Sequence, residues 1–449
     1  MDYLDRLSDF AARLDFAALP DKLRAHTGWV LADTVAAMAA GSAEPELRAW
    51  AQQQAATGGA TLVGLGRGSE SLVAALINGT SGTFLEMDEG NRFSRGHPAV
   101  HVLPAALALA QTRGLDANAF LSALVAGYEV GSRLGAASQL RAAMHPHGTW
   151  GTVGAAAACG RLLAYDAALM RQTLNVASSM TTASSKRTML EGGLVRNVYA
   201  GLSNHNGALA AQLAGCGFTG ERDGLRSLLG AIVSERFDTE ALMQGLGEDW
   251  HLSKNYFKLH SCCRYNHGTL DALDKLAAGE SLPAVEDIAH IEVISYSHAA
   301  ELADPAPANT LAAKFSVPFA VATRLVHGHS GLTSFTWDAV RDERVLALAR
   351  KVSISEDPAM TQRLPLERPA RVTLTSHSGR QWTAEVGANR GDDALPYTDH
   401  ELTTKFMALC GRIWPEAHAK QLLEATHALC AGQQDMQGWL ALLGRPPQA

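Results

Sequence analysis

Two textures divide this chain, and the division sets what it can fold into. From residue 1 to about 270, Ala, Leu and Gly recur at helical spacing with few β-branched runs, punctuated by Gly, Pro and Asn. The spacing predicts helices at 22–40, 71–87, 99–113, 117–134, 151–164 and 199–216. Runs of small residues such as Val153-Gly-Ala-Ala-Ala-Ala-Cys-Gly160 let helix axes approach closely. After about 275 the pattern changes to period two. Segments 288–295, 351–355, 371–376 and 381–386 read as strands, with a hairpin turn at Ser376-His-Ser-Gly-Arg380. Helical segments at 311–328 and 336–350 lie among these strands. From residue 399 the chain turns helical again, at 399–413, 417–431 and 434–443. The expected fold class is mainly α with a smaller α+β domain. Residues 1–270 begin a large helical domain, 271–395 form the inserted α+β domain, and 396–449 return to the first.

At 449 residues the chain exceeds the size at which a single core keeps growing, so two domains are the default. Hydrophobic residues make up 47% and charged ones 18%, which implies extensively buried helix faces. A net charge of -7 argues against nucleic acid as the main partner. An anionic substrate would have to be attracted locally, by a few placed Arg, Lys and His. No purely apolar stretch reaches the length of a membrane span. The start, Met-Asp-Tyr-Leu-Asp-Arg, has neither the basic residues nor the apolar core of a secretory signal. The six cysteines form no CxxC pair, so a reduced, cytoplasmic protein is expected, without disulfides, zinc or an iron–sulfur cluster. Gly64-Leu-Gly-Arg-Gly68 lacks the spacing of a phosphate loop and reads as a hairpin turn, so no nucleotide cofactor is expected either.

Polar chemistry is concentrated in four segments. The first, Phe84 to Ala99, gathers Glu86, Asp88, Glu89, Arg92, Arg95 and His97 between apolar helices. Carboxylates, guanidiniums and an imidazole in such a loop can bind anions and move protons. His97-Pro98 stands at the start of a helix, where free backbone N–H groups favour a carboxylate. The second segment, His145-Pro-His-Gly-Thr-Trp-Gly, feeds the Ala-rich helix and gives His145 a similar position. The third, Lys186 to Asn206, carries Arg187, Arg196, Tyr199 and His205 among glycines. The fourth, Tyr256 to His267, holds Lys258, His260, Cys263, Arg264, Tyr265 and His267. Lys or Arg there can clamp a carboxylate, Arg in bidentate fashion. Cys263 reads as a buried thiol rather than a nucleophile.

These four segments in this order resemble the MmgE/PrpD family over nearly the whole chain. The resemblance extends to Arg24-Ala-His-Thr-Gly-Trp-Val-Leu-Ala-Asp-Thr-Val-Ala36, Gly79-Thr-Ser-Gly82, Lys314-Phe-Ser-Val-Pro-Phe-Ala320 and Gly391-Asp-Asp-Ala-Leu-Pro-Tyr-Thr-Asp-His-Glu-Leu402. It implies a helical domain made from both chain ends, an inserted lid domain, a homodimer, no metal and no cofactor. The activities it implies are dehydration of 2-methylcitrate, epimerisation of iminodisuccinate and decarboxylation of cis-aconitate. The family's acidic Asp-Phe-Asp-Asp-Thr stretch resembles Glu86-Met-Asp-Glu-Gly90, with Asp88 keeping its acid. The two His-Pro pairs match His97 and His145, a basic residue falls at Arg196, and a Lys at Lys258. Cys263 lies where decarboxylase-type members have His.

The expectation is a lyase, a dehydratase, acting on a small di- or tricarboxylate by proton abstraction α to a carboxylate. His97 and His145 would do the acid–base work, with Asp88 orienting one of them and Lys258 completing the catalytic set. Arg196, Arg92, Glu86, Arg264, His267 and Cys263 would bind substrate. The alternative is an epimerase of an amino- or imino-dicarboxylate, with cis-aconitate decarboxylation weaker because of Cys263.

Overall fold

A computed structural model describes residues 2–448 apart from Ala56 and Glu280. The protein is mainly α, with a smaller α+β part. Buried apolar side chains form two large clusters in the helical part. They draw on Leu4 to Phe257 and again on Tyr397 to Leu443. A separate cluster, mostly from Cys262 to Ala384, forms the core of the α+β part. The hand-over between cores thus falls between Leu259 and Cys262, ahead of the change in texture at 270. Its cause is the helix Arg264–Gly279, whose apolar side packs on the sheet rather than on the bundle.

That sheet has four strands, β1 (Ile288–Ser295), β2 (Val352–Glu356), β3 (Ala370–Ser376) and β4 (Gln381–Val386), in the order β4-β3-β1-β2. β3 pairs antiparallel with both β4 and β1, while β2 runs parallel to β1. Alternate residues of β3 (Ala370, Val372, Leu374) are buried, as its period-two pattern requires. The turn expected at 64–68 falls at 63–66, in a hairpin joining two short strands, Ala60–Leu62 and Arg67–Ser69.

Three helices end or break where periodicity alone would have continued them. The segment 71–87 stops at Thr83, because the chain leaves the helix to build the acidic loop. The segment 311–328 is two helices, Thr310–Lys314 and Val317–His327, since Ser316 caps the second by accepting the Phe319 N–H at 3.0 Å. The segment 336–350 breaks likewise at Asp342, which caps Glu343–Ala349.

In the helical part, Ala117–Ala137 and Trp150–Leu162 pack with glycine against glycine. A Cβ on Gly127 would lie 2.6 Å from the Gly154 carbonyl oxygen, and one on Gly154 would lie 2.8 Å from that of Gly127. The helix Pro98–Arg113 contains Pro104, which cannot donate to the Val100 carbonyl. Asn204, from the helix Val195–Gly215, repairs the gap. Its Nδ2 donates to Val100 O at 2.8 Å, and its Oδ1 accepts from Ala105 N at 2.9 Å. No helix is long and apolar enough to cross a membrane among the described residues.

Candidate active site

A cavity of about 160 Å³ lies between the two parts of the molecule. Glu86, Arg95, His97, His145, His147 and Arg196 line it from the helical part. Cys263, Arg264, Tyr265, His298, Phe315 and Arg368 line it from the α+β part. Such domain junctions are where small-molecule sites concentrate.

The acidic loop supplies the deepest charges. Glu86 has a backbone φ of 54°, in the left-handed region, which costs a residue with a Cβ roughly 1–3 kcal/mol. That turn swings its carboxylate onto Arg196 Nη1 and within 3.4 Å of Lys258 Nζ. Burial alone would raise its pKa, but these two cations outweigh burial and hold Glu86 below the usual carboxylate range. Asp88 lies 2.9 Å from His97 Nδ1 and 3.6 Å from Lys258 Nζ. Burial again opposes ionisation, and His97 and Lys258 overcome it, so Asp88 is kept anionic. His97 Nδ1 also stands 2.7 Å from the Glu89 carbonyl, which leaves Nε2 as the ring nitrogen for the cavity.

Glu89 overturns one expectation. The helix beginning at Pro98 does not offer its N-terminus to a substrate, because Glu89 Oε1 already accepts the Ala99 N–H at 2.8 Å. Its other oxygen accepts from Tyr128 Oη at 3.1 Å. Burial pushes the Glu89 pKa up to about 8, helped by Asp33 and Asp88 nearby, so this carboxyl is mostly protonated at neutral pH.

His145 is buried with a donor near each ring nitrogen, of which the neutral ring can accept only one. The His147 N–H approaches Nδ1 at 3.1 Å and Arg196 Nε approaches Nε2 at 3.3 Å. Burial first, and Arg196 second, lower its pKa well below the ordinary histidine value, so the ring is neutral. His147 sits at the centre of an imidazole cluster. Its ring centroid is 4.6 Å from those of His145 and His101, and 5.1 Å from that of His97, all edge to face. Burial depresses His147 and brings His101 down to about 3.

The structure therefore brings Glu86, His97, His145, Arg196, Cys263 and Arg264 to the cavity wall, and four expected residues do not reach it. Asp88 and Lys258 lie behind, as counter-charges to one another and to Glu86. Lys258 was expected to join the catalytic set and hold a substrate carboxylate; instead the protein's own two carboxylates occupy it. Arg92 is taken by Asp393 at 2.6 Å, with Asp392 at 3.8 Å. His267 is turned toward the protein, with Arg264 Nη1 at 3.0 Å from Nδ1 and the Cys262 carbonyl 3.2 Å from Nε2. Arg264 reaches the wall but is committed to Asp392 at 2.9 Å and the Arg390 carbonyl at 2.8 Å. Burial raises the Cys263 thiol to about 11, which removes it as a nucleophile at neutral pH. Arg187 stays at the surface with Glu191.

Sequence reasoning missed His101, His147, Tyr256 and Arg368. The signal for the first two was present, since His101 lies one helical turn after His97 and His147 is the second imidazole of His145-Pro-His. Tyr256 lay in the fourth segment, and its ring packs 6.2 Å from that of His97. Arg368 had no local signal. Among the described residues no group of three or more His, Cys, Asp or Glu is arranged to hold a metal ion.

The N-terminal domain of MmgE/PrpD matches residues 5–232, and the C-terminal domain matches residues 260–429. The chain belongs to the MmgE/PrpD family. Among curated relatives, cis-aconitate decarboxylase from Aspergillus terreus is 25% identical over 393 residues, covering 81% of this chain and 80% of its own. A cis-aconitate decarboxylase-like protein, oryM, from Aspergillus oryzae is 24% identical over 452 residues, covering 91% and 90%. The second family domain begins at residue 260, where the structure exchanges one core for the other.

Proposed function

We propose that this MmgE/PrpD protein is a lyase that acts on a small di- or tricarboxylate by abstracting a proton α to a carboxylate. The observation that carries the reading is the placement of His97 and His145 on one cavity wall in different electrostatic settings. His97 stands against an anionic Asp88, the arrangement by which a carboxylate orients an imidazole for proton transfer. We assign it the role of base. His145 is neutral, so one of its ring nitrogens keeps an N–H, which it can give to the leaving group. Arg196, on the same wall, is paired with Glu86 and keeps its Nε against His145, so it positions that imidazole and the buried carboxylate beside it.

The finer reading is dehydration of 2-methylcitrate or a relative. The relatives named for cis-aconitate decarboxylation favour a second outcome, loss of carbon dioxide from a like substrate in a like cavity. Epimerisation of an iminodisuccinate-like acid needs the same proton abstraction and no leaving group. Proton NMR in deuterated buffer with 2-methylcitrate, citrate, cis-aconitate and iminodisuccinate separates the three. Dehydration gives a new vinylic signal from citrate. From 2-methylcitrate, whose alkene carries no hydrogen, it gives a methyl doublet that moves downfield and collapses to a singlet. A terminal methylene pair from cis-aconitate means decarboxylation. Loss of an α-proton signal with no new alkene means epimerisation. No change in any of the four would remove the lyase reading. A homodimer in the cytoplasm belongs to the same proposal, and light scattering on the purified protein tests the dimer.

A further inference from the structure

Nearly every cation at or behind the cavity is already answered by a carboxylate or by carbonyls. Arg196 has Glu86, Lys258 has Glu86 and Asp88, Arg264 has Asp392, and Lys186 has Glu301. Arg95, at the exposed rim, donates to the Ser138 carbonyl at 3.3 Å, and Arg141 to the carbonyls of Ile232 and Ala231 at 2.9 and 2.8 Å.

Arg368 is the exception. It is only 4% exposed, lines the cavity from the α+β side, and its Nη1 has no hydrogen-bond partner. Among the described residues no carboxylate lies within ion-pair distance of it. What holds it is aromatic: its guanidinium carbon lies 5.4 Å from the Tyr256 ring centre and 5.7 Å from that of Tyr265. A buried guanidinium without a counter-ion is costly unless an anion arrives to complete it.

The position of Arg368 relative to the imidazoles is also defined. His97 and Arg368 flank the same Tyr256 ring, at 6.2 and 5.4 Å from its centre. We infer that Arg368 clamps a carboxylate of the substrate remote from the reacting carbon. The ligand then carries at least two carboxylates and spans from the α+β wall to His97. This rests on the proposed lyase reading for the identity of the reacting end, while the clamp itself is a matter of binding.

Isothermal titration with tricarballylate, a saturated and unreactive tricarboxylate, tests the clamp without turnover. Arg368→Gln should weaken binding at least tenfold, because a bidentate charged contact is lost. Arg368→Lys, which keeps a charge without the planar fork, should fall between it and the wild type. The melting temperature of ligand-free Arg368→Gln should hold or rise, since an unpaired buried charge is removed; a purely structural arginine would lower it. If Arg368→Gln fails to fold, Arg368→Lys carries the test alone, with equal affinity to wild type as the contrary result. Wild type that does not bind tricarballylate at about 10 mM, or Arg368→Gln that binds it unchanged, overturns the clamp. Wild type that binds tricarballylate but transforms none of the four acids fails the lyase proposal and leaves the clamp standing.

Discussion

His97 touches two oxygens through one nitrogen, the Asp88 carboxylate and the Glu89 carbonyl, and this fixes both its tautomer and the face it shows the cavity. His97→Ala should therefore cost about 10²–10⁴-fold in turnover of whichever acid proves to be substrate. A folded variant with near-wild-type turnover would take His97 out of the chemistry. Glu89 gives a second prediction of a different kind. In the unfolded chain a glutamate titrates near 4.3, whereas here burial places Glu89 near 8. Between those values the folded protein holds a proton that the unfolded chain has released. Stability from this group is thus complete below about 4.3, declines as pH rises, and is lost by about 8. Glu89→Gln keeps an acceptor for Ala99 N–H but cannot ionise, so its melting temperature relative to wild type should climb from pH 5 to pH 8. A difference that stays constant across that range would show that Glu89 does not titrate within it. The titratable residues of this loop were legible in sequence because they crowd into one segment. Their roles were not, because Lys258 and Arg92 look like substrate ligands until their internal partners, Glu86 and Asp393, are seen.

The imidazoles hold their places only as well as the helices that carry them, and Pro104 puts a weak point in the one that begins just after His97. Asn204 closes it with three buried bonds, to Val100 O, Ala200 O and Ala105 N. Asn204→Ala leaves a carbonyl and an N–H without partners, each costing about 1–3 kcal/mol. The expected outcome is a loss of about 2–6 kcal/mol in urea unfolding, with turnover falling because His97 caps, and His101 lies on, the freed half of that helix. A loss below about 0.5 kcal/mol would mean that the break at Pro104 needs no repair. Periodicity disclosed many of the long helices and the four strands of the larger sheet, since both depend on local side-chain spacing, though not the helices Tyr3–Arg13, Ala167–Ser178 and Arg264–Gly279. It did not disclose this suture, which joins residues about a hundred positions apart, nor the helix breaks at Ser316 and Asp342, where a cap overrides a continuing apolar pattern.

At the scale of the whole molecule, the two ends of the chain meet behind the active site through one buried ion pair. Lys405, on the returning helix Asp399–Cys410, binds Asp33 on the helix Asp21–Gly41 and donates to the Met87 carbonyl at 2.6 Å. The last helices thus do more than fill the core: one of them grips the loop one residue before Asp88. The helical texture after residue 399 pointed to a return toward the first domain, but a pair between positions 33 and 405 leaves no trace in either local pattern. Both partners are buried, and burial presses each toward its neutral form, Asp33 upward and Lys405 downward in pKa. Their mutual attraction opposes that pressure, and removing one partner strands the other. Lys405→Met should cost about 3–5 kcal/mol in urea unfolding, while Asp33→Asn combined with Lys405→Met should recover most of it. Turnover separates the two jobs of Lys405. The double variant regains stability but not the donor to Met87, so its activity should remain low. If activity returned together with stability, the pair would serve only to join the chain ends. If instead Lys405→Met alone cost under about 1 kcal/mol, water would be reaching Asp33 and the junction would not be sealed as the structure has it.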